Sequence, residues 1–239
     1  MSLRIEPVLC LEGIMDNYAY LLTDEQSGMC AIVDAAEFEP IDAVCRQNNQ
    51  KPSFILTTHH HFDHVGANDD FKQKYQSKIV VSNIDAAHLQ DADILVKDGD
   101  EFMLGNSRIK VISAPGHTHG HVLWYFPENK VLFTGDTLFN LCIGGLFEGT
   151  TEEMWQTLQK IKGLPDDVCF YPGHEYTRAN IRKLQAQQDA ASKQYLEFLA
   201  QKSERGEAFV GVPLGLEKQC NRYLQIEDEQ IFVQRFAGE

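Results

Sequence analysis

His59, His61, Asp63 and His64 stand at H-x-H-x-D-H spacing within Thr58-His59-His60-His61-Phe62-Asp63-His64, directly after the apolar run Phe54-Ile55-Leu56. Packing has no use for such a cluster. Neutral imidazole nitrogens and a carboxylate oxygen suit zinc or another first-row metal. The chain then repeats the arrangement, an apolar strand running into a polar turn that carries a ligating group. Val111-Ile112-Ser113-Ala114 leads to Pro115-Gly116-His117, Val131-Leu132-Phe133-Thr134 to Gly135-Asp136, and Cys169-Phe170-Tyr171 to Pro172-Gly173-His174. Strand ends at one edge of a sheet are where distant loops converge.

The number of groups matters next. Zinc takes about four ligands, and catalytic sites keep one position open. His59, His61, Asp63, His64, His117, Asp136 and His174 exceed what one ion holds and suit two ions sharing Asp136. Side chains alternate along an extended segment, so His59 and His61 face one ion together, while Asp63 and His64 begin the next turn and can face a second. A single His beside Gly is more often a turn or core residue, so the weight lies in the repetition. His60 is the spacer, expected to support the ligands or lie exposed. His119 and His121 are expected to support, and His88, in a helical stretch, to lie on the surface. A closed structural zinc site would favour four Cys or His ligands, which this set is not.

Elements of ordinary size must position these groups. The 239 residues, 43% hydrophobic and 23% charged, allow one large domain with a small appendage. A formal charge of −14 leaves no electrostatic footprint for nucleic acid or an anionic membrane. The mean hydropathy of −0.31 and the lack of a long apolar run argue against a transmembrane span. Glu6 and Pro7 interrupt the N-terminus where a secretory h-region would lie, so a cytoplasmic protein is expected. Its six scattered cysteines, with no C-x-x-C pair, are then reduced thiols.

Residues 3–9, 17–23 and 28–34 read as strands, followed by a helix from Glu39-Pro40 to Asn48 and a buried strand over 54–57. The stretch 65–75 reads as helix. Residues 79–81, 101–104, 109–113, 122–126, 131–134 and 168–171 read as strands. Thr150-Thr151-Glu152-Glu153 is a capping box opening a helix with Met154, Leu158 and Ile161 on its apolar face. Residues 176–204 read as one or two amphipathic helices, and 205–239 as loop-rich. No internal repeat appears.

At these residues the chain resembles the metallo-β-lactamase superfamily, and within it glyoxalase II, the hydroxyacylglutathione hydrolases. The matching segments are Asp16-Asn17-Tyr18, the histidine run, Pro115-Gly116-His117-Thr118, Gly135-Asp136-Thr137-Leu138-Phe139, Phe147-Glu148-Gly149-Thr150 and Gly173-His174-Glu175-Tyr176-Thr177, spread over roughly residues 1–225. The resemblance implies an α+β protein. An αββα sandwich over residues 1–174 would be followed by a small, shortened helical substrate domain over 175–239. It also implies His59, His61 and His117 on one ion, Asp63, His64 and His174 on the other, and Asp136 between them.

Two divalent ions are implied, zinc first, with iron or manganese open to the same donors. The implied reaction is hydrolysis of a small-molecule thioester, S-(2-hydroxyacyl)glutathione, to a 2-hydroxy acid such as D-lactate and glutathione. A hydroxide held by the metals would attack, with Asp63 and Asp136 in catalytic roles and Phe147 and Tyr176 touching substrate. The alternative is another activity of the superfamily: a different thioester, a lactone, or persulfide dioxygenation. The departures concern substrate. Gly145 sits where the family commonly has a basic residue, Phe147 where Tyr is frequent, and Arg235 is the only base in the last ten residues. The thiol carrier and the acyl group are therefore left open. No sequence signal bears on oligomeric state.

Overall fold

The computed structural model describes residues 2–89, 91–185 and 189–237. The first half of the chain supplies β1 (Leu3–Cys10), β2 (Asn17–Asp24), β3 (Cys30–Val33), α1 (Phe38–Gln47), β4 (Phe54–Leu56), α2 (Phe62–Val65), α3 (Asn68–Tyr75), β5 (Lys78–Ser82) and β6 (Ile94–Val96). Then come β7 (Glu101–Leu104), β8 (Ser107–Ser113), β9 (Val122–Phe126), β10 (Val131–Gly135), the hairpin β11 (Leu138–Phe139) and β12 (Cys142–Ile143), α4 (Thr151–Lys162) and β13 (Cys169–Pro172). The tail adds α5 (Thr177–Gln185), α6 (Ala190–Glu204), β14 (Val212–Pro213), α7 (Leu214–Cys220) and α8 (Glu229–Ala237).

Two six-stranded sheets result, ordered β1-β2-β3-β4-β5-β6 and β14-β13-β10-β9-β8-β7. Alternation along the strands shows how they stack. Tyr20, Val33, Leu56 and Val80 of the first sheet meet Val111, Trp124, Phe126 and Phe133 of the second in one core. Their sequence neighbours Leu21, Ile32, Ile55 and Ile79 face the other way, against Ile41 and Cys45 of α1 and Phe71 of α3. Leu123 and Leu132 turn outward from the second sheet onto Met154, Leu158 and Ile161 of α4. Strands buried on both faces read as continuous apolar runs because each face has its own cover. The architecture is the expected αββα layering, in the α+β class.

The capping box at α4 forms: Glu153 N–H donates to Thr150 Oγ1 (3.2 Å), and Thr150 N–H to the Glu153 carboxylate (2.8 Å). A cap of this kind is worth about 1 kcal/mol. Elsewhere tertiary contacts override local pattern. The helix expected over 65–75 is broken between α2 and α3, because Ala67 N–H is drawn to Ala35 O (2.8 Å). A Cβ on Gly66 would sit 2.8 Å from Ala36 O, so the backbones there meet directly.

The stretch around His88 is a single 3-10 turn, Asp85–Ala87. Residues 205–237, read as loop-rich, carry α7, α8 and β14; α8 is held by Phe232 against Trp155 of α4, ring centroids 5.3 Å apart. β6, β11, β12 and β14 were not expected, being strands of two or three residues that pairing with a neighbour creates. The helical reading of 176–204 spans 186–188, and the proposed domain limits reach residues 1 and 239; those positions lie outside the described residues. The tail's Leu184, Tyr195, Leu199 and Phe232 share one apolar cluster with α4 and the second sheet.

Candidate metal centre

The ligating residues follow the C-terminal ends of β4, β8, β10 and β13, at one edge of the two sheets. The structure gathers all seven. His59 Nε2 and His117 Nε2 stand 3.1 and 3.0 Å from His61 Nδ1. Asp63 Oδ2 stands 3.6 Å from His64 Nε2 and 3.4 Å from His174 Nε2. Asp136 faces both sets, with Oδ1 3.3 Å from His64 Nε2 and Oδ2 3.5 Å from His117 Nε2 and 3.2 Å from His174 Nε2. Nitrogens crowding about a common point are what a coordination sphere requires, and His59-His61-His117 and Asp63-His64-His174 each have metal-ligating geometry.

The outer nitrogens are committed elsewhere. His117 Nδ1–H donates to Gly145 O (2.7 Å), His174 Nδ1–H to Met15 O (2.8 Å) and His64 Nδ1–H to Asp34 Oδ2 (2.9 Å). In the neutral ring this leaves each Nε2 with a lone pair facing inward, the arrangement that orients a ligating histidine. Burial pushes His59, His117 and His61 below the usual histidine range, keeping them neutral as ligands must be. Burial works against charge on His64 and His174, but Asp136 with Asp34 or Asp63 outweighs it, raising His64 well above its ordinary value and His174 to about 9. Burial likewise opposes charge on the carboxylates; His64 and His174 nonetheless hold Asp136 far down, and Asp63 is brought to about 2.

These residues fit metal ions on their own chemistry. Asp136 Oδ1 is buried and makes no hydrogen bond among the described residues, an orphan that a cation would satisfy. Gly173 leaves room where a Cβ would lie 2.8 Å from His64 Cε1 and overlap the Asp136 carboxylate.

Sequence reasoning missed Asp34. It sits just after β3 in the left-handed region (φ 55°), accepts from Thr58 N–H and Thr58 Oγ1–H (both 2.7 Å), and so fixes both the start of the histidine run and His64. The signal was available: Ile32-Val33 running into Asp34 repeats the strand-then-ligand pattern. Asn17, noted only within a matching segment, donates Nδ2–H to Asp63 Oδ2 (2.9 Å) and to Asp63 O (3.0 Å). His121 supports, as expected: its Nε2 accepts Asp136 N–H (3.1 Å) and its ring stacks on His59. His119 is exposed, with Nδ1 3.9 Å from Glu153. His60 and His88 lie outside the centre.

A cavity of about 310 Å³ opens on the ligands. Beyond them it is walled by Met15, Phe62, Phe139, Ile143, Phe147 and Tyr176, and no lysine or arginine lines it among the described residues. The Phe147 ring packs 5.1 Å from His61 and 5.0 Å from His117. Tyr176 stacks on His174 at 5.0 Å; burial pushes its phenol up to about 12, so it remains a proton donor. None of the six cysteines forms a disulfide, and Cys142 is half-buried. No helix among the described residues is long and apolar enough to cross a membrane.

Comparison with known proteins agrees with this geometry. The family model of the metallo-beta-lactamase superfamily matches residues 14–174. A hydroxyacylglutathione hydrolase of Brucella anthropi is 46% identical over 180 residues, spanning 75% of this chain and 68% of that protein. One from Rhodopseudomonas palustris (strain HaA2) is 37% identical over 242 residues, spanning 100% of this chain and 94% of that protein. A solved structure in a di-iron-bound form is 28% identical with a TM-score of 0.58, covering 71% of this chain and 91% of that one. With seven His and Asp side chains gathered for divalent metal ions on an αββα frame, the chain belongs to the metallo-beta-lactamase superfamily and, within it, to the hydroxyacylglutathione hydrolases.

Proposed function

We propose that the chain is a metal-dependent thioester hydrolase that converts S-(2-hydroxyacyl)glutathione, with S-D-lactoylglutathione as the first case, to the 2-hydroxy acid and glutathione. The observation that carries this is Asp136, whose carboxylate faces both ligand clusters at 3.2–3.5 Å and leaves one oxygen without a hydrogen bond among the described residues. The relatives' shared name supports the substrate class.

His59, His61 and His117 would hold one ion and Asp63, His64 and His174 the other, with zinc the first choice and iron or manganese suited to the same donors. Ions held there would supply Lewis acidity, lowering the pKa of a bound water toward about 7 and polarising a carbonyl. The chain's own residues do the rest. Asp63, pinned by Asn17, orients the attacking water. Asp136 sets the separation of the two clusters, with His121 fixing its backbone. Phe147 and Tyr176 flank the acyl group and the sulfur, and the Tyr176 phenol donates a hydrogen bond to the carrier. No thiol nucleophile is needed: Cys142 Sγ already accepts from Asn180 Nδ2 (3.0 Å).

The uncharged pocket wall favours a second reading in which the thiol carrier is not an anionic tripeptide. One experiment separates the two. kcat/KM is measured on metal-replete protein for S-D-lactoylglutathione and for the same acyl group on a thiol lacking the glycine carboxylate. Fast turnover that falls with the truncated thiol supports glutathione. Equal rates support the second carrier, and no turnover of either ends the thioester reading.

A further inference from the structure

A second group of ligating side chains lies beside the metal centre and outside it. His60, between two ligands in sequence, is turned to the other side of the strand end. Its Nδ1 stands 3.2 Å from Asp85 Oδ1 and its Nε2 3.3 Å from Glu148 Oε1. The exposed His88 stacks on it, centroids 4.0 Å apart and planes 11° from parallel. One ligand atom from each of His60, His88 and Glu148 lies within 4.8 Å of the others. Three loops, after β4, after β5 and before α4, thus bring two imidazoles and a carboxylate to one point.

Asp85 is the independent observation. It is 1% exposed, its Oδ2 makes no hydrogen bond among the described residues, and the polar group facing its Oδ1 is His60 Nδ1, 3.2 Å away. A carboxylate so buried is costly unless positive charge faces it. Its place is built in: Gly120 lies against it, and a Cβ there would overlap the Asp85 carboxylate. Ligating histidines are commonly backed by a carboxylate on the nitrogen that does not bind. Asp85 occupies that position toward His60.

We propose that His60, His88 and Glu148 hold a further divalent cation of the zinc class, with Asp85 behind His60 orienting its imidazole. Two imidazoles and one carboxylate leave the fourth position of a tetrahedral ion to water. His88 is at the surface, so its ring is free to turn out of the stack toward the ion. The consequence reaches the substrate pocket. Glu148 follows Phe147 directly, and its other oxygen accepts His119 N–H (2.9 Å). A cation on Glu148 ties the Phe147 loop to the segment that carries the main ligands.

The test is zinc uptake by equilibrium dialysis at buffered micromolar free ion, for the unaltered chain, His88→Ala and Glu148→Gln. The unaltered chain should bind one ion per chain more than either variant, with the variants keeping the rest. Because the readout is this difference, it stands apart from how many ions the main centre takes. His88→Ala removes an exposed side chain and leaves the fold intact, so equal uptake by all three proteins would overturn the proposal.

Discussion

The ligand cradle and the pocket wall are neighbours built on opposite plans. In the cradle four of the seven ligands have a second holder: His64 by Asp34, His117 by Gly145 O, His174 by Met15 O, Asp63 by Asn17. The wall is aromatic and loosely held, with Phe62 71% and Phe147 73% exposed and no cation facing the cavity among the described residues. The cradle hangs from strand ends. The wall hangs partly from the tail, where Leu141 N–H, in the β11–β12 hairpin, donates to Glu217 Oε1 of α7 (2.7 Å). Glu217 also accepts from Tyr195 and Asn221. The chemistry is thus fixed by mutually supporting bonds, while recognition rests on a few contacts that substitution can retune.

The largest effect should come from breaking the cradle. Asp136→Ala leaves both clusters without their shared carboxylate. Turnover should fall by more than about 10³-fold, as for groups that act as a unit, with metal lost and the far-ultraviolet circular dichroism unchanged. Retention of metal and rate would remove Asp136 from its role. Asp34→Ala tests the outer bonds. It should cost about 10–100-fold in metal affinity, read by chelator competition, and an unchanged affinity would mean His64 needs no orienting partner.

The anchor of the wall is sensitive to pH. Burial raises the Glu217 carboxyl from 4.5 to about 7, so the folded chain holds its proton where the unfolded chain has lost it. The stability this contributes is present in full below pH 4.5 and lost as pH rises through about 7. The difference is on the order of 3 kcal/mol. Denaturant unfolding at pH 5.5 and 8 should show about 2 kcal/mol of that loss, and Glu217→Gln should flatten it; parallel profiles would mean the carboxyl does not titrate there. The smallest effects belong to the pocket itself. Gly145→Lys should lower KM for a glutathione thioester by about tenfold, the low end of a charged hydrogen bond, with kcat little changed. An unmoved KM would place the carrier's carboxylate elsewhere.

The same contrast explains what was legible in the sequence. The ligand set was readable because each member follows an apolar strand and four lie within six residues, His59 to His64. The layers followed from continuous apolar runs such as Leu21-Leu22 and Ile32-Val33, buried on both faces. Asp34 carries the strand-end signal in the sequence, but its role appears only when β3 and β4 pair and bring it to His64, thirty residues away. His60, Asp85 and Glu148 share no local pattern, and only folding brings their three loops together. The tail's α8 has too little local signal for nine residues and depends on Phe232 meeting Trp155.

If both clusters must be filled for thioester hydrolysis, zinc added stepwise to metal-free protein, with thiol release from S-D-lactoylglutathione followed, should give little turnover with one cluster filled and a rise to a plateau as the second fills. Full activity at one ion per chain, or with none, would contradict it.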